Sequence, residues 1–392
     1  MRLHRRRWRP LAALIIVAAV LAYVAIPYVR AASLFVRAAH VGGRIEEFAA
    51  DHAHAVTVMP PHAVHTRHGD VPAQFYRPST HAERSVLLIP GIHSMGIREP
   101  RLTALAKDLA GSGVTVMTLA LPDLQRYRIT TASTDIIEDA TQWMAKQPEL
   151  APDGRVGLIG ISFAGGLSVV AAGRPSIKDK LAYVLSFGGH ADLPRVLRYL
   201  ATGEEVHVPG VENHPPHDYG VAVILYGLAD RGIVPADQVE PLRKGVETFL
   251  LASQLTLVDM NQANAMFDKA RQYAKTLSEP AATYMTYVND RNVAKLGPAL
   301  VPFLDNPEAN SPALSADRAP SPPTAPVFLL HGSGDTVIPT AESVLLADYL
   351  RSKGADVDLL ISDLITHAEV DRTAAASESV KLVTFWADVL KK

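Results

Sequence analysis

The chain contains no cysteine. That excludes disulfides, thiolate metal sites and a cysteine nucleophile, so covalent catalysis would need another side chain. The absence does not fix a compartment, although it suits folding outside the cytosol without disulfide help. An excess of one charge is missing too: 38 Lys and Arg stand against 40 Asp and Glu, a formal net charge of −2. So even a balance leaves no electrostatic footprint for nucleic acid or a strongly acidic substrate. What is present is bulk and apolar content. With 392 residues, 48% of them hydrophobic, the chain can build one large domain with an insertion, or two domains.

Charge is also absent locally. Arg2, Arg5, Arg6, Arg7 and Arg9 precede Leu11 to Val29, which is uncharged and almost wholly apolar. A helix of that length spans ~28 Å, close to the hydrocarbon thickness of a bilayer. The sequence therefore predicts a single-pass anchor at the cell membrane over residues 1–30, with membrane as a partner. Arginines are denser before the segment than after it, which places the N-terminus in the cytoplasm and the rest outside. Secretion after signal cleavage near Val29-Arg30-Ala31 is the alternative. A buried core helix is disfavoured behind five arginines. Residues 31–51 read as a helical stalk broken at Gly42-Gly43.

His52, His54, His62, His65 and His68 crowd the next stretch, but Pro60-Pro61 and polar turns deny them convergent metal geometry. They read as loop and edge-strand residues around first strands at Val56 to Met59 and Ala73 to Tyr76. From Ser85 the pattern sharpens. Apolar strands at Ser85 to Ile89, Val114 to Leu121, Val156 to Ile161 and Leu181 to Phe187 alternate with segments of helical period. That alternation means an α/β chain with a mostly parallel sheet covered on both faces. It stops near His190 and resumes at Val327 to Leu330, followed by Val357 to Ile361 and an amphipathic helix from Ser377 to Leu390. Residues 191–325 between them read as mainly helical, clearest over Asp259 to Leu277, and end in a proline-rich linker from Ala319 to Pro326.

The sharpest local signal is Arg155 to Gly166. A β-branched strand ends at Gly160-Ile161-Ser162-Phe163-Ala164, and small residues then open a helix. A serine on a tight strand-to-helix turn brings two backbones together, so the positions two before and two after it must be small. Strand, turn and helix with Gly160 and Ala164 flanking Ser162 resemble the nucleophile elbow of the α/β-hydrolase family. That family usually has glycine where this chain has Ala164. His331-Gly332-Ser333-Gly334-Asp335-Thr336-Val337-Ile338-Pro339 likewise resembles the family's acid loop, and His367 follows the last strand. Ser162, Asp335 and His367 stand in the family's order of nucleophile, acid and base.

The chemistry requires each of the three. A serine hydroxyl needs a base within hydrogen-bond reach, and an ionised carboxylate fixes the imidazole tautomer and stabilises the imidazolium. The resemblance further implies an oxyanion hole from the N–H of Phe163 and of Ile92, in Pro90-Gly91-Ile92-His93. His93 reads as a pocket-lining residue, His190 as structural, and Asp123 as the fallback acid. An insertion after the strand following the elbow helix is where the family places a cap.

The division is thus 1–30 membrane segment, 31–51 stalk, 52–190 and 326–392 hydrolase core, and 191–325 cap with linker. The expected function is a membrane-anchored serine hydrolase cleaving a small or lipophilic ester through an acyl-enzyme, with no metal, organic cofactor or nucleic acid. A peptidase or acyltransferase using the same triad, or a hydrolase-fold binding module without catalysis, are the alternatives.

Overall fold

A computed structural model describes residues 5–82, 84–256, 259–365 and 376–392. Their strands are β1 (Val56–Val58), β2 (His62–Thr66), β3 (Gly69–Pro78), β4 (Ser85–Ile89), β5 (Thr115–Leu119), β6 (Val156–Ile161), β7 (Leu181–Phe187), β8 (Val327–Gly332) and β9 (Val357–Ser362). They form one sheet in the order β1-β3-β5-β4-β6-β7-β8-β9, with β2 also paired to β3. The pairs of β3 with β1, β2 and β5 are antiparallel; from β5 to β9 every pair is parallel.

The helices are α1 (Arg5–Ala38), α2 (Gly43–Asp51), α3 (Pro100–Gly111), α4 (Pro122–Gln125), α5 (Thr131–Ala145), α6 (Phe163–Ala172) and α7 (Leu193–Thr202). They continue as α8 (Asp218–Leu228), α9 (Val239–Leu255), α10 (Met260–Ala274), α11 (Ala281–Asn289), α12 (Val293–Leu304), α13 (Thr340–Ser352) and α14 (Ala376–Lys391).

Strand periodicity explains the two layers of helices. Side chains alternate faces along a strand. Leu87 and Ile89 of β4, Val156 and Leu158 of β6, and Val327 and Leu329 of β8 join one core with α5, α6 and the insertion. Their neighbours Val86, Leu88, Ile159, Phe328 and Leu330 join a second core with α3, α14 and the end of α1. Strands buried on both faces are near-continuous apolar runs, with a few buried polar residues such as Thr118 and Ser186. This is an α/β-hydrolase fold, with α7 to α12 inserted between β7 and β8.

The insertion is tied to the sheet where it begins. Glu342 of α13 is buried, and its carboxylate accepts the N–H groups of Ala191 and Asp192 at 2.9 and 3.0 Å and the guanidinium of Arg195. The proline-rich segment that ends the insertion lies on the core, with Thr324 Oγ1 donating to the Lys178 carbonyl at 3.0 Å.

Two features depart from the sequence reading. The hairpin of β2 with β3 turns at Arg67-His68, since Thr66 faces Gly69. Only Val64 and Thr66 of β2 are buried, so this polar strand carries too weak an alternation to be predicted.

The second departure is at the N-terminus and overturns the membrane localisation. Among the described residues no helix is long and apolar enough to cross a membrane. Leu11 to Val29 belongs to the longer α1, whose last turns pack on protein. Ala31 and Leu34 are buried in the second core. Arg37 donates to the Asp108 carboxylate at 2.7 Å and to the Asp108 carbonyl at 2.8 Å, while Lys391 donates to the Tyr28 hydroxyl at 3.1 Å. The predicted placement, N-terminus inside and catalytic domain outside, falls with the anchor. Residues 31–51 are helical on either side of a break ending at Gly42, as their sequence reads, and form the end of α1 and all of α2, with Ala49 buried.

Candidate active site

The strand order reverses between β5-β4 and β6-β7, so the loops after β4 and β6 diverge and leave a crevice at the carboxyl edge. Ser162 stands at that edge. Its backbone is at φ 56°, ψ −133°, a region non-glycine residues rarely occupy, between the end of β6 and the first residue of α6. The turn is held from both sides: Ser162 N–H donates to the Phe187 carbonyl of β7, and Gly165 N–H to the Ser162 carbonyl, both at 2.7 Å.

The close approach falls on particular glycines. A Cβ on Gly160 would run into the Ala164 carbonyl group, and one on Gly165 would meet Ser186 Oγ at 2.5 Å and Gly189 Cα at 3.0 Å. Ala164 itself is fully buried with its methyl group accommodated. The steric demand at this elbow is therefore met by Gly160 and Gly165, which is why alanine is tolerated at 164.

Asp335 follows β8 and is almost wholly buried. Its Oδ1 accepts the N–H groups of Val337 and Ile338 at 2.8 and 3.0 Å, and its Oδ2 lies 3.3 Å from His331 Nε2. β7 brings this carboxylate to the side of the serine. Phe187 receives the Ser162 N–H, and the next residue, Gly188, donates to the Leu330 carbonyl of β8 at 2.7 Å. Gly188 has φ +61°, and a Cβ there would touch Asp335 Oδ2 at 3.5 Å. The ends of β6, β7 and β8 thus place Ser162 and Asp335 on either side of one strand end. His367 lies outside the described residues.

The crevice opens into a cleft of about 480 Å³. Its core wall is Pro90 to His93, Ile161, Ser162, Phe163, Thr336 and Val337; the insertion supplies His217, Tyr219, Ser253, Gln254, Thr256 and Arg291. Gly91 allows the loop after β4 to approach the serine, since a Cβ there would meet Ser162 Cβ at 3.0 Å. The Phe163 N–H lies in the first turn of α6, where no intrahelical acceptor exists. Phe163 and Ile92 both line the cleft that contains Ser162.

The rim is polar. Burial tends to raise the Glu99 carboxyl, but the hydrogen bond and charge of Arg101 and the Leu102 N–H outweigh it and hold the group low. Burial pushes the His93 imidazole down, with Arg101 adding to that and Glu99 opposing it.

Other candidates are elsewhere. Asp123 accepts from Thr130 Oγ1 and is not among the residues lining the cleft. His190 is fully buried against Phe163, ring centroids 5.5 Å apart, with Nε2 at 2.8 Å from the Leu314 carbonyl; burial pushes its imidazole down. His65 pairs with Asp70 and His68 with Asp135, on the surface around the β2–β3 hairpin.

No protein-family model matches the chain, and no curated protein does. Solved structures do resemble it. An esterase of Pyrobaculum calidifontis has 16% identity and a TM-score of 0.45, over 86% of this chain and 85% of that one. A thermostable esterase from Pseudomonas putida ECU1011 has 14% identity and a TM-score of 0.46, over 91% and 86%. The acylaminoacyl peptidase of Pyrococcus horikoshii has 12% identity and a TM-score of 0.48, over 89% of this chain but 44% of that one. The strand order and the elbow define the fold independently of these likenesses.

Sequence reasoning passed over His331. It is fully buried, with Nδ1 at 2.6 Å from Ser343 Oγ and Nε2 at 2.9 Å from the Ile338 carbonyl as well as facing Asp335. It clamps the acid loop onto α13. Its place at the head of His-Gly-Ser-Gly-Asp was the available signal. Gln254 and Tyr219, from the insertion, had no local signal, because nothing in their own segments shows which face meets the cleft.

Proposed function

We propose that the chain is a serine hydrolase that cleaves carboxylic esters. Ser162 Oγ attacks the ester carbonyl while its proton passes to His367, and the N–H groups of Phe163 and Ile92 receive the developing oxyanion. Collapse expels the alcohol, protonated by His367. Water, deprotonated by the same histidine, then releases the acid from Ser162. Asp335 holds the imidazole in the required tautomer and stabilises its charged form. Preorganised N–H donors at such a position contribute about 3 kcal/mol each to the transition state.

The observation that carries this reading is the backbone of Ser162. A positive-φ serine between a buried parallel strand and a helix, facing a large cleft, holds strain that the surrounding glycines are arranged to permit. Helices α7 to α12 act in this reading as a cap that shapes the cleft and limits water. A fluorophosphonate probe should label the protein at Ser162, with esters competing better than amides or thioesters. Ser162→Ala should abolish labelling and lower aryl-ester turnover by several orders of magnitude while leaving the protein folded. Labelling that persists in Ser162→Ala would remove Ser162 from the role.

A further inference from the structure

We propose that Gln254, on the inserted helix α9, is a positioning residue that sets the loop carrying the second oxyanion donor. Its amide bridges two core segments. Ser94 Oγ donates to Gln254 Oε1 at 3.0 Å, and Gln254 Nε2 donates to Tyr127 Oη at 3.2 Å. Ser94 is two residues beyond Ile92, in the loop after β4, and Gln254 lines the same cleft as Ser162 and Ile92. A glutamine suits this place because one side chain supplies an acceptor and donors in fixed geometry.

Ser94 also lies within hydrogen-bond reach of the Tyr127 hydroxyl, so the serine, the tyrosine and Gln254 form one cluster; the loop's other ties are short in range. Met95 N–H bonds His93 Nδ1 at 3.1 Å, and Gly96 N–H bonds the His93 carbonyl at 2.9 Å. Gly96, at φ +51°, sits close against the Gln125 side chain. These bonds shape the turn at 93–96 but do not hold it against the far wall of the cleft. Among the described hydrogen bonds of residues 92–96, the one from Ser94 to Gln254 joins the loop to the insertion.

The other end of the bridge is buried and packed. Tyr127 has a left-handed backbone, φ 56°, and its ring stands edge-on to Tyr226 of α8, centroids 5.6 Å apart. Tyr226 donates to Glu247 of α9 at 2.8 Å. Helix α9 is itself anchored by Phe249, Leu250 and Ala252, all buried. The inserted helices therefore do more than roof the cleft: they hold a wall of the oxyanion hole. An N–H aimed at a developing oxyanion stabilises the transition state and much less the bound ester, so losing its aim should lower kcat rather than raise KM.

This inference rests on the serine-hydrolase reading above, and the test separates the two. Gln254→Met keeps the side chain's length and removes both hydrogen bonds, and Ser94→Ala removes the loop's end of the bridge. Each should lower kcat for a short aryl ester by tenfold or more, on the order expected for a misplaced group, with KM nearly unchanged. The affinity of a trifluoromethyl ketone, which forms a tetrahedral adduct at the serine, should fall by a similar factor. The double variant should lose no more than either single one, since both break one bridge. Retained kcat and ketone affinity in Ser94→Ala, whose truncation leaves the insertion untouched, would overturn the proposal, as would additive losses in the double variant. Failure of the parent protein to label at Ser162 would instead overturn the hydrolase reading, and this inference with it.

Discussion

Ser162 and Asp335 are held by backbone groups, and this decides what substitutions there will do. Asp335 Oδ1 takes two N–H groups from its own loop, leaving Oδ2 toward Gly188 and His331. An asparagine can still accept both N–H groups through its carbonyl oxygen, so Asp335→Asn should melt close to the parent. Its turnover should fall about 10⁴-fold, because an amide in place of the carboxylate favours the wrong imidazole tautomer. Asp123→Asn is the comparison. That carboxylate caps a local turn through Thr130, away from the cleft, and its loss should leave kcat within a few fold. Steady-state kinetics of the two variants decide the assignment: a larger loss at Asp123 would transfer the acid's role to the earlier strand.

The elbow and the first helices of the insertion make two further predictions at the scale of the element. At Gly160 an added methyl group meets the Ala164 carbonyl of α6 as well as Ser168 Oγ, and the backbone cannot swing aside as a side-chain end can. Gly160→Ala should therefore shift β6 against α6, costing about 1–3 kcal/mol of stability and most of the activity. Ala164→Gly, which restores the residue usual in hydrolases of this fold, should remain active and lose no more than about 1 kcal/mol. Thermal melts and esterase assays on both would show it; equal behaviour would mean the elbow is not sterically limited at 160.

Asp218, the first residue of α8, accepts from Arg291 beyond the end of α11 at 2.8 Å and faces His217 at 3.1 Å. Burial pushes its carboxyl up, but hydrogen bonds from His217 and Arg291 and the Arg291 charge outweigh this and bring it down to about 2. A carboxyl lowered on folding stabilises the protein fully above its unfolded value, about 3.9, and that stability is lost as pH falls toward 2. Asp218→Asn should melt below the parent at pH 7, with the gap closing between pH 4 and pH 2. A gap unchanged at pH 2.5 would show that the pair does not hold α8 to α11.

For the molecule as a whole, the question is what the insertion does to substrate choice. Behind Phe163, a second cavity of about 80 Å³ runs between Tyr127 to Thr130, α7 and α8, lined by Leu197, Leu200, Val223 and Ile224 among others. Phe163 lines both this cavity and the cleft of Ser162. If acyl chains reach it past the Phe163 ring, kcat/KM should rise over the first few carbons, with each buried methylene adding up to ~0.8 kcal/mol, and then drop. Leu197→Phe would fill part of the space and move the optimum to shorter esters while sparing the acetate. Identical chain-length profiles would give the cavity to packing alone. Deleting the insertion is a poorer test, because α7, α8 and α9 share one continuous core with the sheet.

The sequence by itself determined the layered α/β architecture, because strands buried on both faces are near-continuous apolar runs and Val86 to Ile89, Val156 to Ile161 and Val327 to Leu330 are such runs. It also marked the turn at Ser162 and the loop at Asp335, whose small residues and order along the chain are local properties. The fate of Leu11 to Val29 was not local. An apolar helix reads alike whether lipid or protein covers it, and only the packing of Ala31, Leu34 and Arg37 against α3 and α14 showed protein at its end. Tertiary structure alone likewise decided that His331 clamps the acid loop and that Gln254, 160 positions beyond Ser94, reaches it. Hydrogen bonds between segments so far apart depend on how the helices pack, and no periodicity within either segment records that.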